Sequence, residues 1–513
     1  MHIAIKITNS GNSIRPPGIV LYLRPNNWDD YGHKTTFHLI VEDERGKKFE
    51  IGDVKIGSSQ LANDSWVVGL IHENCPGLDE HFFSLGQDTI YYERLYALPK
   101  DFRNQVLAAL RDVVANPAAL AVAEGTRVFQ SSLMRSVSAQ TLSQQYSRIL
   151  RGEAPLTKFH FGYSRAQTNT YAGISLEFRV TPNSTPPTNI HVLIGRNGIG
   201  KTTLLNGMIS SLVGDSQPGV DYGNIVDLSG YIPIQSKTYF SHVISTSFSA
   251  FDPFTPPPNR HDENAPVRYT YVGLKEVTVQ NGYRVARHKD IHELAKDFVD
   301  SLDACLTFER KRELWLNAIE CLSSDTNFAE MDLGRLAYEE QRDVRLQRAH
   351  QFFTLMSSGH AVVLLTLTTL VERTEEKTVI IMDEPESHLH PPLLSAFVRA
   401  LSMLLTNRNG VAIIATHSPV ILQEVPKSCV WKMRRTRLTF NAERPEEETF
   451  GENVGILTRE VFGLEVSASG FHNTLKSAVE AGRTYEQILS DYGGQIGFEG
   501  RTILRALISS RVL

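Results

Sequence analysis

The sequence predicts an α/β fold: a central domain built on buried strands and interrupted by a helical insertion, flanked by an N-terminal α/β domain and a C-terminal helical extension. Three observations predict it. Three short apolar runs, Ile190–Ile194, Thr378–Met382 and Val411–Ala415, read as buried strands. Each breaks directly into residues with special chemistry: a glycine loop with a lysine, adjacent carboxylates, and a histidine. Helical stretches lie between them.

The first strand organises the rest. Ile190–Ile194 runs into Gly195-Arg196-Asn197-Gly198-Ile199-Gly200-Lys201-Thr202, a full match to the phosphate-loop pattern G-x-x-x-x-G-K-[ST]. Glycines let the backbone curl so that successive N–H groups point inward at phosphate oxygens, and the following helix, to about Leu212, adds the positive end of its dipole. Lys201 is placed to reach the β- and γ-phosphates, and the Thr202 hydroxyl to ligate Mg²⁺. ATP and Mg²⁺ are the cofactors this loop implies.

Length and composition bound the answer. At 513 residues the chain has room for two to four domains at about 100 to 200 residues each. No apolar run approaches the roughly 20 residues of a membrane helix, the longest lying near Ala361–Leu370, and no signal peptide is visible at Met1. Cys75, Cys305, Cys321 and Cys429 lie far apart without metal-ligand spacing, which reads as reduced thiols in a cytoplasmic protein. A net charge of −5 gives no global basic footprint, so nucleic-acid contact would need a local patch or a partner.

In chain order, residues 1–155 form the N-terminal domain. Runs beginning at His2, Ile19 and Thr36 read as strands, and Trp28–Tyr31 and Asp43–Gly46 as turns. Tyr91 to Val113 repeats at helical spacing and ends at Pro117; a second helical stretch covers about Ser131–Leu150. Phe82–Gln87 reads as apolar packing at a helix start. Residues 156–266 open the nucleotide domain, with Ile174–Val180 as a strand, a Pro/Ser/Thr loop from Pro182, and Tyr239–Phe251 as a further strand candidate. Residues 267–351 are a mainly helical insertion with a small β piece, too short and broken for a coiled-coil arm. Its charged run Glu309–Glu313 reads as a solvated helix face.

Residues 352–440 complete the domain. The Thr378–Met382 strand ends in Asp383-Glu384-Pro385-Glu386, an apolar strand running into two carboxylates as in Walker B. Asp383 would hold the metal shell and Glu384 would act as general base on the attacking water. Upstream, Met356-Ser357-Ser358-Gly359-His360 opens an apolar helix; a capped helix is the simple reading, and an anion site the functional one. The Val411–Ala415 strand ends in Thr416-His417-Ser418, placing an imidazole beside the carboxylates. Residues 441–513 are mostly helical.

With these four elements placed, the chain resembles the ABC-type, AAA-like ATPases of the RecF, SMC and overcoming-lysogenization-defect group, and is similar to compact ATPases of bacterial anti-phage systems such as PtuA of Septu. GRNGIGKTT, MSSGH, IIMDEPESHLHPP and IIATHSPVILQEVP carry the resemblance, over about residues 159–435. It implies an ABC-type P-loop domain in which Gly195, Asn197, Gly198, Gly200, Lys201, Thr202 and Thr203 bind nucleotide. Thr202 and Asp383 would hold the metal, and Lys201, Glu384 and His417 would be catalytic. Ser357 and Gly359 would meet ATP across a homodimer. Ser358 and His360 depart from the Gly and Gln of transporters, which implies slow hydrolysis. His388 and His390 follow Walker B, where a metal reading is weak. Gln235 and the strand end Ser247–Asp252 compete for the metal-coordinating glutamine position.

The expected function is that of a sensor or regulator in anti-phage defence, acting on a separately encoded effector, expected to be a nuclease, since no acidic cluster of a Toprim nuclease is present. The alternatives are a RecF-like ATPase that clamps DNA and a scaffold that binds ATP without turnover. Lys432, Arg434, Arg435 and Arg437 form a basic cluster that fits phosphate backbone or, more simply, a charged strand edge.

Overall fold

The computed structural model describes residues 3–511 apart from 8–17, 27–31, 62–64, 138, 140, 153–157, 169–171, 183, 216–219, 230–231, 234–238, 250–253, 261–266, 281–282, 437–438 and 469. The expected turn at Trp28–Tyr31 lies outside the described residues.

The N-terminal part has its own sheet and core. Strands Ile3–Ile7, Ile19–Pro25, Thr36–Glu42, Lys48–Ser58 and Phe82–Gly86 lie in that order across one sheet, the first pair parallel and the rest antiparallel. Leu21, Leu39, Val54, Ile56, Phe83 and Leu85 pack beneath helices Thr89–Tyr96 and Lys100–Ala109. Phe82–Gly86 is therefore a fully buried strand rather than packing at a helix start; the helix begins at Thr89, capped by Asp88. Pro117 starts a helix instead of ending one. It occupies the first turn of Pro117–Glu124, where its missing N–H costs nothing, and the Asn116 side chain caps Ala118 and Ala119.

Among the described residues the central sheet has seven strands, in the order Arg268–Gly273, His242–Ser247, Thr378–Asp383, Val411–Thr416, Ile190–Ile194, Val430–Thr436 and Thr439–Glu443. All neighbours pair in parallel except the last two. Both faces are covered, which explains the unbroken apolar runs. Ile190, Val192, Ile194, Ile380 and Met382 enter a core with the insertion helices, while Leu193, Val379, Ile381 and Ile413 enter a second core. That second core is closed by helix Lys201–Val213 and an antiparallel sheet containing Phe159–Arg165 and Ile174–Val180.

Part of the segment expected as insertion belongs to this sheet: Arg268–Gly273 pairs in parallel with His242–Ser247 and forms its edge. A hairpin, Lys275–Gln280 with Tyr283–His288, then leads into helices Ile291–Thr307, Glu309–Leu322, Thr326–Met331 and Arg342–Leu355. The Glu309–Glu313 run is a docking face rather than a solvated one. Lys311 is buried and donates to the Glu372 carbonyl at 2.9 Å, burial pulling its ammonium down to about 8. The Glu309 amide donates to Asp53 of the N-terminal sheet at 2.7 Å. Helices Val454–Ala468, Gly470–Glu480, Tyr485–Asp491 and Phe498–Arg511 form the C-terminal extension.

Candidate active site

Parallel strands present their C-terminal ends on one edge, where ligands of open α/β sheets bind. Register decides which residues meet there. Ile194 lies opposite Thr416, and Asp383 opposite both Ala415 and Ser247. The phosphate loop, the two carboxylates and His417 therefore leave the sheet side by side.

The loop is built by glycine at points where geometry demands it. Gly198 and Gly200 take φ of 79° and 99°, the left-handed region that other residues enter at a cost. At Gly195 a Cβ would stand 2.4 Å from Ile199 Cδ1 and 2.5 Å from the Met433 carbonyl. Lys201 begins the helix, and its Nζ donates to the carbonyls of Gly195 at 2.8 Å and Arg196 at 3.0 Å. The ammonium is buried and held by its own loop, which places a cation inside the curl. Burial pulls it below the usual lysine range, against the pull of Glu384, Asp383 and Glu386. Thr202 follows on the first turn, half-buried; Asn197, Gly198 and Thr203 are exposed.

The carboxylates are organised around Glu384. Its backbone is left-handed, with φ 45° and ψ 59°, a conformation costing a non-glycine residue on the order of 1–3 kcal/mol. Its amide still donates to Ala415 at 2.9 Å, so the turn is fixed to the neighbouring strand. Glu384 Oε1 stands 3.8 Å from Lys201 Nζ and 3.7 Å from His417 Nδ1. One oxygen thus faces both the cation and the imidazole.

Glu386 completes the arrangement, and sequence reasoning gave it no role. Its Oε1 accepts from the His417 amide at 2.8 Å and from the Thr416 hydroxyl, and lies 3.2 Å from His417 Nδ1, out of line for a hydrogen bond. The side chain is 6% exposed, and Oε2 is buried with no hydrogen-bond partner. The available signal was spacing: a third carboxylate, one proline beyond the base. Arg435 is also newly placed, its guanidinium 3.6 Å from where a Cβ on Gly200 would stand. The basic cluster does not form a charged edge. Lys432 is buried, 2.6 Å from Glu460 and 3.5 Å from Glu443, on a strand interior to the sheet, and Arg434 lies 3.6 Å from Glu443. Arg437 lies outside the described residues, as do Gln235 and residues 250–252 of the competing strand end. Ser247 sits in register with Asp383.

The described contacts of the signature turn run to the insertion and to the His388–His390 segment, not to the phosphate loop. Ser357 precedes helix Ser358–Arg373, yet its hydroxyl meets His360 Nδ1 at 2.6 Å instead of capping the backbone. Gly359 is buried under the His388 carbonyl, 2.3 Å from where its Cβ would be. His390 caps helix Pro391–Arg408 and pairs with Asp325 at 3.0 Å. Among the described residues no group of three His, Cys, Asp or Glu is disposed to hold a metal. The Thr202 hydroxyl and Asp383 carboxylate are hard oxygen donors of the kind Mg²⁺ takes, beside a loop shaped for phosphate.

This is the layout of a phosphate-loop nucleotide-binding domain. Residues 293–423 match the family described as "AAA domain, putative AbiEii toxin, Type IV TA system". The chain belongs to the family of protein ea59 of Escherichia phage lambda, to which it is 45% identical over 507 residues, spanning 96% of this chain and 95% of that protein. Among solved structures it is similar to the ATP-binding cassette MJ1267 of an ABC transporter in its ADP conformation, 13% identical at a TM-score of 0.32 over 61% of this chain and 100% of that one. It is also similar to cbiO1 from Clostridium perfringens, part of the cbiONQ transporter complex, 12% identical at a TM-score of 0.31 over 61% and 96% of the two chains. Among the described residues no helix is long and apolar enough to cross a membrane.

Proposed function

We propose that this chain binds ATP with Mg²⁺ at residues 195–203 and hydrolyses it. The observation that carries the reading is the single Glu384 oxygen within 4 Å of both Lys201 and His417, at the ends of neighbouring strands. Lys201 exchanges its loop carbonyls for the β- and γ-phosphates. Glu384 orients the attacking water and accepts its proton. His417, anchored through its amide by Glu386, faces the γ-phosphate or that water. Thr202 and Asp383 hold the metal, which when bound neutralises charge on the phosphates.

Two copies enclose two ATP molecules, Ser357 and Gly359 of each facing the nucleotide of the other. Leu355, 86% exposed immediately before the signature turn, fits a face covered by a second copy. ATP closes the dimer and hydrolysis reopens it, in the cytoplasm. That cycle drives a separately encoded effector, a nuclease by expectation, in defence against phage. Support comes from the resemblance to compact defence ATPases and from a family description that reads "putative AbiEii toxin, Type IV TA system".

Glu384→Gln tests this reading. The amide keeps the shape of the side chain but takes no proton, so the variant retains ATP, loses turnover by roughly 10²–10⁴-fold, and elutes as an ATP-dependent dimer in size-exclusion chromatography. A monomer at saturating ATP contradicts the two-copy reading. Hydrolysis stimulated by DNA alone moves the function to a DNA clamp.

A further inference from the structure

The insertion contributes one carboxylate that joins two parts of the site otherwise separate in sequence. Asp325 caps helix Thr326–Met331, its Oδ1 accepting from the amides of Asn327 at 3.0 Å and Phe328 at 3.2 Å. The same carboxylate meets two imidazoles. His360 Nε2, from the signature turn, lies 3.2 Å from Oδ1, and His390 Nε2, beyond the Walker B carboxylates, lies 3.0 Å from Oδ2. The side chains of Asp325 and His360 are 7% and 10% exposed, so that contact is shielded from water, whereas His390 reaches Asp325 from a side chain that is 49% exposed.

The hydrogen-bond roles follow from the partners. A carboxylate only accepts, so the His360 Nε2 that bonds it carries the proton, while His390 Nε2 stands at ion-pair distance from Oδ2. His390 Nδ1 accepts from the Leu393 amide at 3.4 Å, which leaves Nε2–H as the edge of that ring turned to Asp325. His360 Nδ1 meets the Ser357 hydroxyl at 2.6 Å, so the orientation of Ser357 is set through His360 by Asp325. Gly359, pressed against the His388 carbonyl, locks the two segments from the other side. Burial works to raise the Asp325 pKa, but the amides of Phe328 and Asn327 and the His360 ring outweigh it and hold the carboxyl below its usual range.

We propose that Asp325 is a positioning residue: it clamps the signature turn and the His388–His390 segment into one register, so that both meet the ATP held by a second copy together. The proposal rests on the two-copy reading above. It also gives the insertion a part in the site and gives His360 a reason to stand where transporters carry glutamine.

Asp325→Asn separates this role from the helix cap. Asparagine keeps an oxygen for Asn327, Phe328 and His360 and is itself a good cap, but turns an N–H₂ group against His390 Nε2–H. The readouts are binding of a fluorescent ATP analogue to the dilute chain, kcat and KM for ATP, and ATP-dependent dimerisation in the Glu384→Gln background. The expected result is analogue affinity within about twofold of the parent, with kcat lower and the ATP concentration for half-dimerisation higher by about tenfold, as loss of the carboxylate–imidazole contact and its replacement by two facing N–H groups implies. His390→Asn, which keeps the Leu393 cap but cannot reach Asp325, gives the same pattern. His360→Gln, able to donate to Asp325 and accept from Ser357, retains dimerisation. If Glu384→Gln alone dimerises and both Asp325→Asn and His390→Asn leave its ATP dependence and kcat unchanged, the positioning role is overturned while the two-copy reading stands. If Glu384→Gln never dimerises, the two-copy reading fails first.

Discussion

Glu386 shows how much chemistry can hide beside a motif. It neither ends the strand nor sits in the loop, yet its carboxylate holds the His417 amide and the Thr416 hydroxyl. Glu386→Gln keeps an acceptor for both and is expected to retain most turnover. Glu386→Ala removes the acceptor, leaving buried donors unmet at about 1–3 kcal/mol, and is expected to lower phosphate release tenfold or more. Comparing the two variants by steady-state ATPase assay checks this; equal rates for alanine and parent contradict it. Gly195→Ala forces a Cβ against Ile199 and the Met433 carbonyl, and is expected to lower thermal stability by about 1–3 kcal/mol. An unshifted calorimetric melting temperature would show that the loop is looser than its contacts imply. The meeting of Lys201, Asp383, Glu384 and His417 at one edge of the sheet was legible in the sequence because each lies at a strand end or in the turn or loop that leaves it, so chain position and spatial position coincide. Glu386 was not, because its partners come from the neighbouring strand and only register reveals them, and Arg435 was legible only as part of the basic cluster, not as a neighbour of Gly200.

The strands of the nucleotide domain were readable because burial on both faces leaves unbroken apolar runs, whereas order across the sheet is set by register and crossover. Arg268–Gly273 was therefore placed in the insertion although it is the sheet edge. Phe82–Gly86 lacks alternation for the same reason of two-sided burial, and the helix signal just after it prevailed. Lys311 was misread because a charge run looks solvated until a second domain packs on it. That junction carries a pH-dependent contact. His38 lies 3.0 Å from Asp53, 2.8 Å from Glu50 and 3.8 Å from Glu309 on the insertion helix. Burial opposes its charge, but Asp53 outweighs that, with Glu50 and Glu309 adding, and pushes the ring up to about 9. The folded value lies above the unfolded one, so the contribution is complete below about pH 6.5 and is lost as pH rises through about 9. Its size is at most about 3 kcal/mol. Urea unfolding at pH 6 and pH 10 is expected to show a stability loss in the parent that is smaller in His38→Gln; equal losses would remove His38 from the account.

The docking of the N-terminal domain lies away from the catalytic edge. Asp88 pairs with Arg408 at 2.5 Å, and Arg148 with Glu376 at 3.1 Å; Arg408 and Glu376 both lie just before strands whose far ends carry His417 and Asp383. Arg408→Ala would leave Asp88 buried without its cation, at about 3–5 kcal/mol, and is expected to weaken the junction in urea unfolding while leaving ATP affinity near the parent value. Matching loss of ATP affinity would mean the domain shapes the nucleotide pocket directly. The fold class could be read from three strands and their breaks, but the role of the N-terminal domain could not, since its residues form a junction and a core without a chemical motif. At the opposite edge, on the proposed function, two copies would close on ATP. A crystal structure grown with a non-hydrolysable ATP analogue and Mg²⁺ tests it most directly. The account predicts phosphates within residues 195–203, the Lys201 ammonium moved from the Gly195 and Arg196 carbonyls onto them, and Ser357 of a second copy against the γ-phosphate. Lys201 still bound to those carbonyls in an empty loop, or a filled loop with no second copy facing it, would contradict it.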